Sequence, residues 1–530
     1  MIEKQLHYDD EARDLLLSGV KKMADAVKTT LGAAGKTVII EDELGRPHAT
    51  KDGVSVAKSI TLTDPVENLG ANILRQASMK TADLAGDGTT TSVVVAEAII
   101  SNAFSLMSRP DTSYNVTKIK NALEELSKVA VSMVEKKSRQ VTQETLRDVA
   151  TISANNDPVL GGIIADAYNR VGVDGAVTIE ESMSGETYTT VVDGTRIKKG
   201  YHSPYMITDK EKNVAVLEKP VVFISDKKVE TIEDIEAVLE VAIKNKRAIL
   251  IIADVETGVM NTLNVNKAKG VLRVNVIAPE GVGLNRFELL EDLAIMTGAT
   301  LVSDETGNDF SSVDGSYLGL AEKALSTDKE TVITLNMSET AAAVKERAVM
   351  VRKILEERKD EINNWHYKDR LSKLAGGVAA IHVGALTEFE MKEKKDRVED
   401  AIFATRAALE EGIVAGGGIA LLNAANKLRS RKFKSEEEAI AIAALAAGLE
   451  APFDNILSNA DIDVLGSLEY LLAKDNRSNY GVNVKTGKYG DMFRMGIIDP
   501  LKVSKNAIKN ATSVATTLLT TNCVVSNKRA

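Results

Sequence analysis

The residues best placed to do chemistry lie in Ala85-Gly86-Asp87-Gly88-Thr89-Thr90-Thr91-Ser92. Asp87 is the one carboxylate there, set between two glycines where one helical pattern stops and another begins. Without a Cβ, glycine lets the backbone turn sharply and come close to a ligand. A helix start offers free N–H groups and is a natural seat for phosphate. Thr89, Thr90 and Thr91 add hydroxyls at that start. A carboxylate beside such a seat suits Mg²⁺, which takes oxygen ligands and completes its shell with substrate phosphates. The chemistry would be nucleotide-phosphate binding with a divalent ion. An ordinary helix–turn–helix with a Thr-rich N-cap fits the same residues, so this stretch leaves both open.

Three other glycine-rich turns compete for the same role. Gly32-Ala33-Ala34-Gly35-Lys36-Thr37 is textually close to a P-loop, but a P-loop follows a strand and opens a helix. Here a helical pattern leads in and the β-branched run Val38-Ile39-Ile40 leads out, so the P-loop reading is rejected. Gly281-Val282-Gly283 mimics a dinucleotide fingerprint, but Arg286 stands where the third glycine belongs, so it reads as a loop. Ala415-Gly416-Gly417-Gly418 opens a helix at Ile419 and permits close backbone approach, though on these residues alone a plain inter-helix turn is the better reading. Lys51-Asp52-Gly53 is a further acidic turn.

Composition narrows the classes. A chain of 530 residues exceeds one core, so about two to four domains are expected. Aromatics at 4% disfavour a stacking surface for single strands, and a net charge of -10 argues against a nucleic-acid partner. The single cysteine, Cys523, excludes an intrachain disulfide and fits a reducing compartment. The five histidines show no zinc-ligand spacing. No signal or transit pattern opens the chain, and the nearest apolar run, Ala439 to Leu449, is short and Ala-rich. A cytoplasmic location without membrane attachment is expected.

The elements that must hold Asp87 follow from periodicity. Ala12, Leu16, Val20, Met23, Val27 and Leu31 space out a helix over 9–31, ended by Gly32. A hairpin turning near Glu43 to Arg46 follows. Asp64-Pro65 reads as N-cap and first helical position of a helix running into the Asp87 turn. Residues 89–107 are apolar nearly all round, which predicts a fully buried helix behind that turn. Residues 113–136 give another amphipathic helix. Residues 176–180 and 188–192 read as β-rich segments, and from 220 to 303 strands (221–224, 248–252, 271–277 and 300–303) alternate with helices, an α/β pattern with a largely parallel sheet. A long charged helix is expected over 339–363, with hinge candidates at Gly194 and Gly376-Gly377. Helices return from Met391, and 479–500 reads as a small strand-and-turn unit. Helix-rich ends around an α/β centre mean that one domain is split.

Several motifs, taken together and in order, carry a resemblance. They are Thr50-Lys51-Asp52-Gly53-Val54-Ser55-Val56-Ala57, Ala85 to Thr91, Thr151-Ile152-Ser153-Ala154-Asn155, Leu374-Ala375-Gly376-Gly377-Val378-Ala379, Met391-Lys392-Glu393-Lys394-Lys395, Arg397-Val398-Glu399-Asp400-Ala401 and Val414 to Gly418. From about Ala12 to Cys523 the chain resembles a group I chaperonin of the GroEL type. The resemblance implies a multidomain α/β protein. A mostly helical equatorial ATP-binding domain would span 1–136 and 411–530. A small α/β intermediate domain would span 137–192 and 377–410, and an α/β apical substrate-binding domain 193–376. It implies seven-fold rings, single or double, that use ATP to fold non-native polypeptides in a chamber, in a cytoplasm (a host's, for a virus-encoded copy).

The resemblance also implies the site residues. ATP would be lined by Thr30, Leu31, Gly32, Ala33, Lys51, Asp87, Gly88, Thr89, Thr90, Thr91, Gly417, Asn483, Val484, Lys485 and Asp499. Asp87 would bind Mg²⁺, with K⁺ as a further candidate ion. Asp52 and Asp400 would position the attacking water, Asp400 arriving with the intermediate segment. Tyr201, Tyr205, Met206, Leu239, Met260 and Val265 would contact substrate. The chain departs from the family at Ala33-Ala34 (usually Pro-Lys), at Glu236 and Asn264 (usually aliphatic), and at Asp454 (usually arginine, with Asp463 keeping an acid nearby). Arg109 replaces a small residue, and Ser526 to Ala530 lacks a Gly- and Met-rich tail. These departures leave binding of a GroES-type co-chaperonin uncertain. They also raise a ring-forming holdase or scaffold, possible as a single ring without a separate co-chaperonin, as the alternative.

Overall fold

In the computed structural model, the stretch that is apolar on every side is the helix Thr89–Met107. Val93, Val95, Ala96, Ile99, Ile100 and Ala103 on it have no exposed surface. A helix of that kind must be surrounded. Helices Asp9–Lys28, Pro65–Ala85, Val116–Glu135, Glu436–Asn459 and Leu501–Leu519 share one core with it. The structure describes residues 4–41, 45–109, 114–172, 175–182, 185–210, 212–357, 364–473 and 479–527. The expected turn at Glu43 to Arg46 and the C-terminal residues 528–530 fall partly or wholly outside these.

The contacts divide the chain into two units, Met1–Ala165 with Ala385–Ala530, and Asp166–Gly384. Both chain ends fold into the first. The segments expected as an intermediate domain are shared out. Helices Gln143–Ser153 and Glu388–Glu411 belong to the first unit, strands Ala176–Glu181 and Gly377–Val383 to the second.

In the first unit Asp64 caps the Pro65 helix, accepting from Val66 N and Glu67 N. The Asp9 helix buries the expected stripe but stops at Lys28, not at Gly32. Residues 29–36 close on themselves instead: Lys36 N donates to Thr29 O at 2.8 Å and Gly35 N to Gly32 O at 2.9 Å. Two helices, Thr89–Met107 and Glu436–Asn459, are long and apolar enough to cross a membrane by length and composition. That goes beyond the short run seen in the sequence, and both contribute to this unit's core.

In the second unit strands Val221–Ile224, Ile249–Ile252 and Val274–Ile277 pair in parallel, with Gly319–Leu320 antiparallel at the edge. Every residue of the three parallel strands is buried. Alternate side chains enter opposite cores: Val222, Leu250 and Ile277 one, Phe223, Ile251 and Val276 the other. A second, mixed sheet of six strands runs Ala176–Glu181, Gly377–Val383, Tyr188–Ile197, Thr331–Thr334, Lys323–Ser326, Ala215–Glu218. Gly194 is a strand residue there, paired with Thr334.

Two strand expectations change. Residues 271–273 precede the strand that begins at Val274. Residues 300–303 make one isolated bridge, Val302 to Ser225. The long charged helix expected over 339–363 is helical over Ala341–Glu357, and 358–363 lie outside the described residues.

Candidate functional site

The Asp87 turn is shaped by two left-handed glycines. Gly86, at φ 72°, ends the Pro65 helix and donates its N–H to Ala82 O at 2.7 Å. Gly88, at φ 80°, caps the start of the Thr89 helix without a side-chain cap. The N–H groups of that first turn are therefore the helix's own uncapped donors. Asp87 accepts from Gly88 N and, at 3.5 Å, from the Ser153 hydroxyl.

Other segments converge on this turn. Thr30 and Thr90 bring their hydroxyl oxygens within 3.3 Å, linking the loop after the first helix to the Thr89 helix. The carbonyls of Lys28 and Leu31 both accept from Asn459 Nδ2 at 2.9 Å. Gly32, at φ 85°, packs against Ile456, and Ala33 is exposed. Asp52 caps the helix Gly53–Ser59: Oδ1 accepts from Val54 N at 3.0 Å, Oδ2 from Ser55 N at 2.8 Å and Ser55 Oγ at 2.7 Å. These bonds fix the carboxylate and leave lone pairs for a further donor. Gly53 has no room for a Cβ, which would run into Thr90 Oγ1. Lys51 is exposed beside it.

From the far end of the chain, strands Ile413–Ala415 and Ile498–Pro500 pair, setting Val414 opposite Asp499. A Cβ on Gly416 would lie 2.9 Å from Asp499 Oδ1. Gly417, at φ 61°, faces Met492 Cε at 2.9 Å from its would-be Cβ, and Met492 also packs on Gly481 of the hairpin carrying Asn483. Asn483 Oδ1 accepts from Lys485 N at 3.0 Å, which shapes the turn; Val484 is partly buried and Lys485 exposed.

The acidic groups feel one another. Burial, then the charges of Asp87 and Asp52, push the Asp400 carboxyl well above its usual range. Glu399 and Asp396 add to that shift. Asp87 is raised by burial against its Gly88 hydrogen bond, with Asp52 adding. Asp499 is raised to about 7 by burial and by Asp87. The structure thus gathers Asp52, Asp87, Asp400 and Asp499, all within the first unit. Crowded acids of this kind fit a cation. Among the described residues no three acidic or imidazole groups are arranged to chelate a metal. One carboxylate on the turn suits an ion completed by water and phosphate oxygens, the preference of Mg²⁺.

Sequence reasoning missed two contributors. Ser153 lies in the Thr151-Ile152-Ser153-Ala154-Asn155 motif, which was its only signal. Phe403, packed on Gly86, had none beyond standing three residues after Asp400.

The expected substrate residues separate by burial in the second unit. Tyr205 is 75% and Val265 51% exposed, whereas Met206, Leu239 and Met260 lie in the core at 0%, 8% and 5%. Tyr201 packs partly buried on the same core. Lys267 Nζ donates to Tyr205 O at 2.9 Å and Ile207 O at 3.1 Å, strapping the Tyr205 turn to the helix Thr257–Ala268. Glu236 opens the helix Glu236–Lys244, and Asn264 lies on the Thr257 helix. In the first unit Asp454 stands with Glu450 and Arg429, while Asp463 and Arg109 are exposed.

The chain belongs to the TCP-1/cpn60 chaperonin family, whose profile matches residues 23–529. Its fold is that of a chaperonin. It is similar to the chaperonin gp146 from the bacteriophage EL 2 (Pseudomonas aeruginosa), solved in two crystal forms in the presence of ATP-BeFx. Against form II the TM-score is 0.73 at 23% identity, covering 99% of each chain. Against form I it is 0.63 at 23% identity, again covering 99% of each.

Proposed function

We propose that this chaperonin is driven by ATP: subunits assemble into seven-fold rings, hydrolyse ATP in the first unit and engage non-native polypeptides through the second. The observation that carries this reading is the gathering of Asp52, Asp87 and Asp400 into one acidic cluster beside an uncapped helix start. ATP phosphates would lie against the N–H groups of Thr89 to Thr91, where the helix dipole favours negative charge. Mg²⁺ held by Asp87 would supply charge neutralisation at those phosphates; K⁺ is a further ion the acidic surroundings could take. Asp52, held rigid by its capping bonds, orients water. Asp400, the second carboxylate of the cluster, would take part with it in positioning and deprotonating that water. The ATP-BeFx used with the phage chaperonin supports nucleotide binding at the corresponding fold. A cytoplasm, the host's for a virus-encoded copy, is the matching location.

ATP turnover and refolding of a denatured test protein, measured for wild type and Asp400→Ala, test this. Turnover should fall by about 10²- to 10⁴-fold in Asp400→Ala, with ATP binding retained. A wild type that binds ATP without hydrolysing it would sink the reading.

A second reading is a ring-forming holdase or scaffold that works without a separate co-chaperonin. It is favoured by the burial of Met206, Leu239 and Met260 together with the polar Glu236 and Asn264. A groove of that make-up grips apolar segments weakly. Refolding strongly stimulated by a GroES-type lid would count against it. Mass measurement with and without ATP decides between single and double rings.

A further inference from the structure

We propose that Gly86 and Phe403 form a notch seating the Glu388–Glu411 helix on the Asp87 turn, which makes Phe403 a positioning residue for Asp400. The proposal rests on the reading of Asp400 as a hydrolytic residue.

Phe403 lies three residues after Asp400, so the two share one face of the helix. A Cβ built on Gly86 would overlap Phe403 Cβ and lie 2.6 Å from its Cγ. Only glycine at position 86 lets the helix come this close. The contact falls on the residue next to Asp87, so the depth of Phe403 in the notch sets how near Asp400 stands to the turn. The rest of the helix is held independently: Ala404 and Ala408 are fully buried against Val149, Ile413 and Ile498. That core fixes where the helix lies along the unit. The notch fixes how far it comes down. Phe403 itself is 40% exposed, so trimming it opens no closed cavity and its variants should fold.

The test uses the full chain with Phe403→Ala, Phe403→Leu and Gly86→Ala, each alone, and Phe403→Ala combined with Asp400→Ala. Steady-state ATP turnover and equilibrium nucleotide binding are measured. Phe403→Ala should lower kcat about 10-fold and leave nucleotide Kd within about 2-fold, the signature of lost alignment. Phe403→Leu should recover most of the loss. Gly86→Ala should cost at least as much as Phe403→Ala, because its methyl group meets the helix. In the Asp400→Ala background Phe403→Ala should cost nothing further, since a residue acting through Asp400 has no effect once Asp400 is gone. Wild-type kcat in Phe403→Ala, or an equal fall in both backgrounds, overturns the notch alone. Absence of turnover in wild type overturns the ATPase reading and the notch with it. Should Gly86→Ala fail to bind nucleotide, the Phe403 series still decides.

Discussion

Thr90 donates its hydroxyl to Thr30 across 3.3 Å in a buried contact. The direction follows because Thr30 gives its own proton to Val27 O at 2.9 Å. This bond joins the loop after the first helix to the first turn of the Thr89 helix. Thr90→Val removes the donor and keeps the shape. It should cost about 1 kcal/mol of stability and weaken nucleotide binding several-fold. Denaturant unfolding with and without nucleotide separates the two effects.

Gly88→Ala should be more damaging. At φ 80° a side chain costs about 1–2 kcal/mol, and the new methyl would overlap Val503 Cγ1. Overpacking adds about 1–3 kcal/mol. Val503→Ala in the same chain should relieve the second cost and not the first. Midpoints of chemical unfolding for the single and double variants check this.

Asp454 predicts a pH dependence. Burial and then Glu450 raise its carboxyl to about 6, against the pull of Arg429. A carboxyl raised on folding binds its proton more tightly in the native state, so stability falls as pH rises from about 4 through 6. Asp454→Asn should therefore raise stability at pH 8 by about 1 kcal/mol, allowing for solvent screening, and lose that gain below pH 4. Thermal unfolding across pH reads it directly. A flat difference between the two proteins would refute it.

Asp292 in the second unit accepts from buried Arg370 (Nε 2.7 Å, Nη2 2.9 Å) and from Arg347 Nε at 2.7 Å. Asp292→Ala leaves two guanidiniums short of a partner and should cost about 3 kcal/mol or more. Nucleotide affinity should hold, because the acidic cluster lies in the other unit. Unfolding midpoints and nucleotide titration test both halves.

Much of the scaffold was legible in the residues. An all-round apolar run predicted the buried helix Thr89–Met107, and Asp64-Pro65 predicted its neighbour's start. The two glycines around Asp87 announced a turn that only left-handed residues make cheaply. Motif order along the chain pointed to the chaperonin family. Less legible was where elements break. The Asp9 helix ends at Lys28 because residues 29–36 bond to one another, and nothing in the apolar stripe says so.

What the sequence determined by itself was therefore local: which stretches must be buried, where caps and left-handed turns fall, and which carboxylates are available. Proximity was decided by tertiary structure alone. The charge of Asp52 adds to the shifts of Asp87 and Asp400, and Asp87 to those of Asp400 and Asp499, only because distant segments fold onto one turn. Ser153 and Phe403 gained their roles the same way. Among the expected substrate residues, packing buries Met206, Leu239 and Met260 and leaves Tyr205 and Val265 exposed. The reason is physical: periodicity encodes which face of an element is apolar, whereas electrostatic coupling and burial depend on distances that only the packed chain defines.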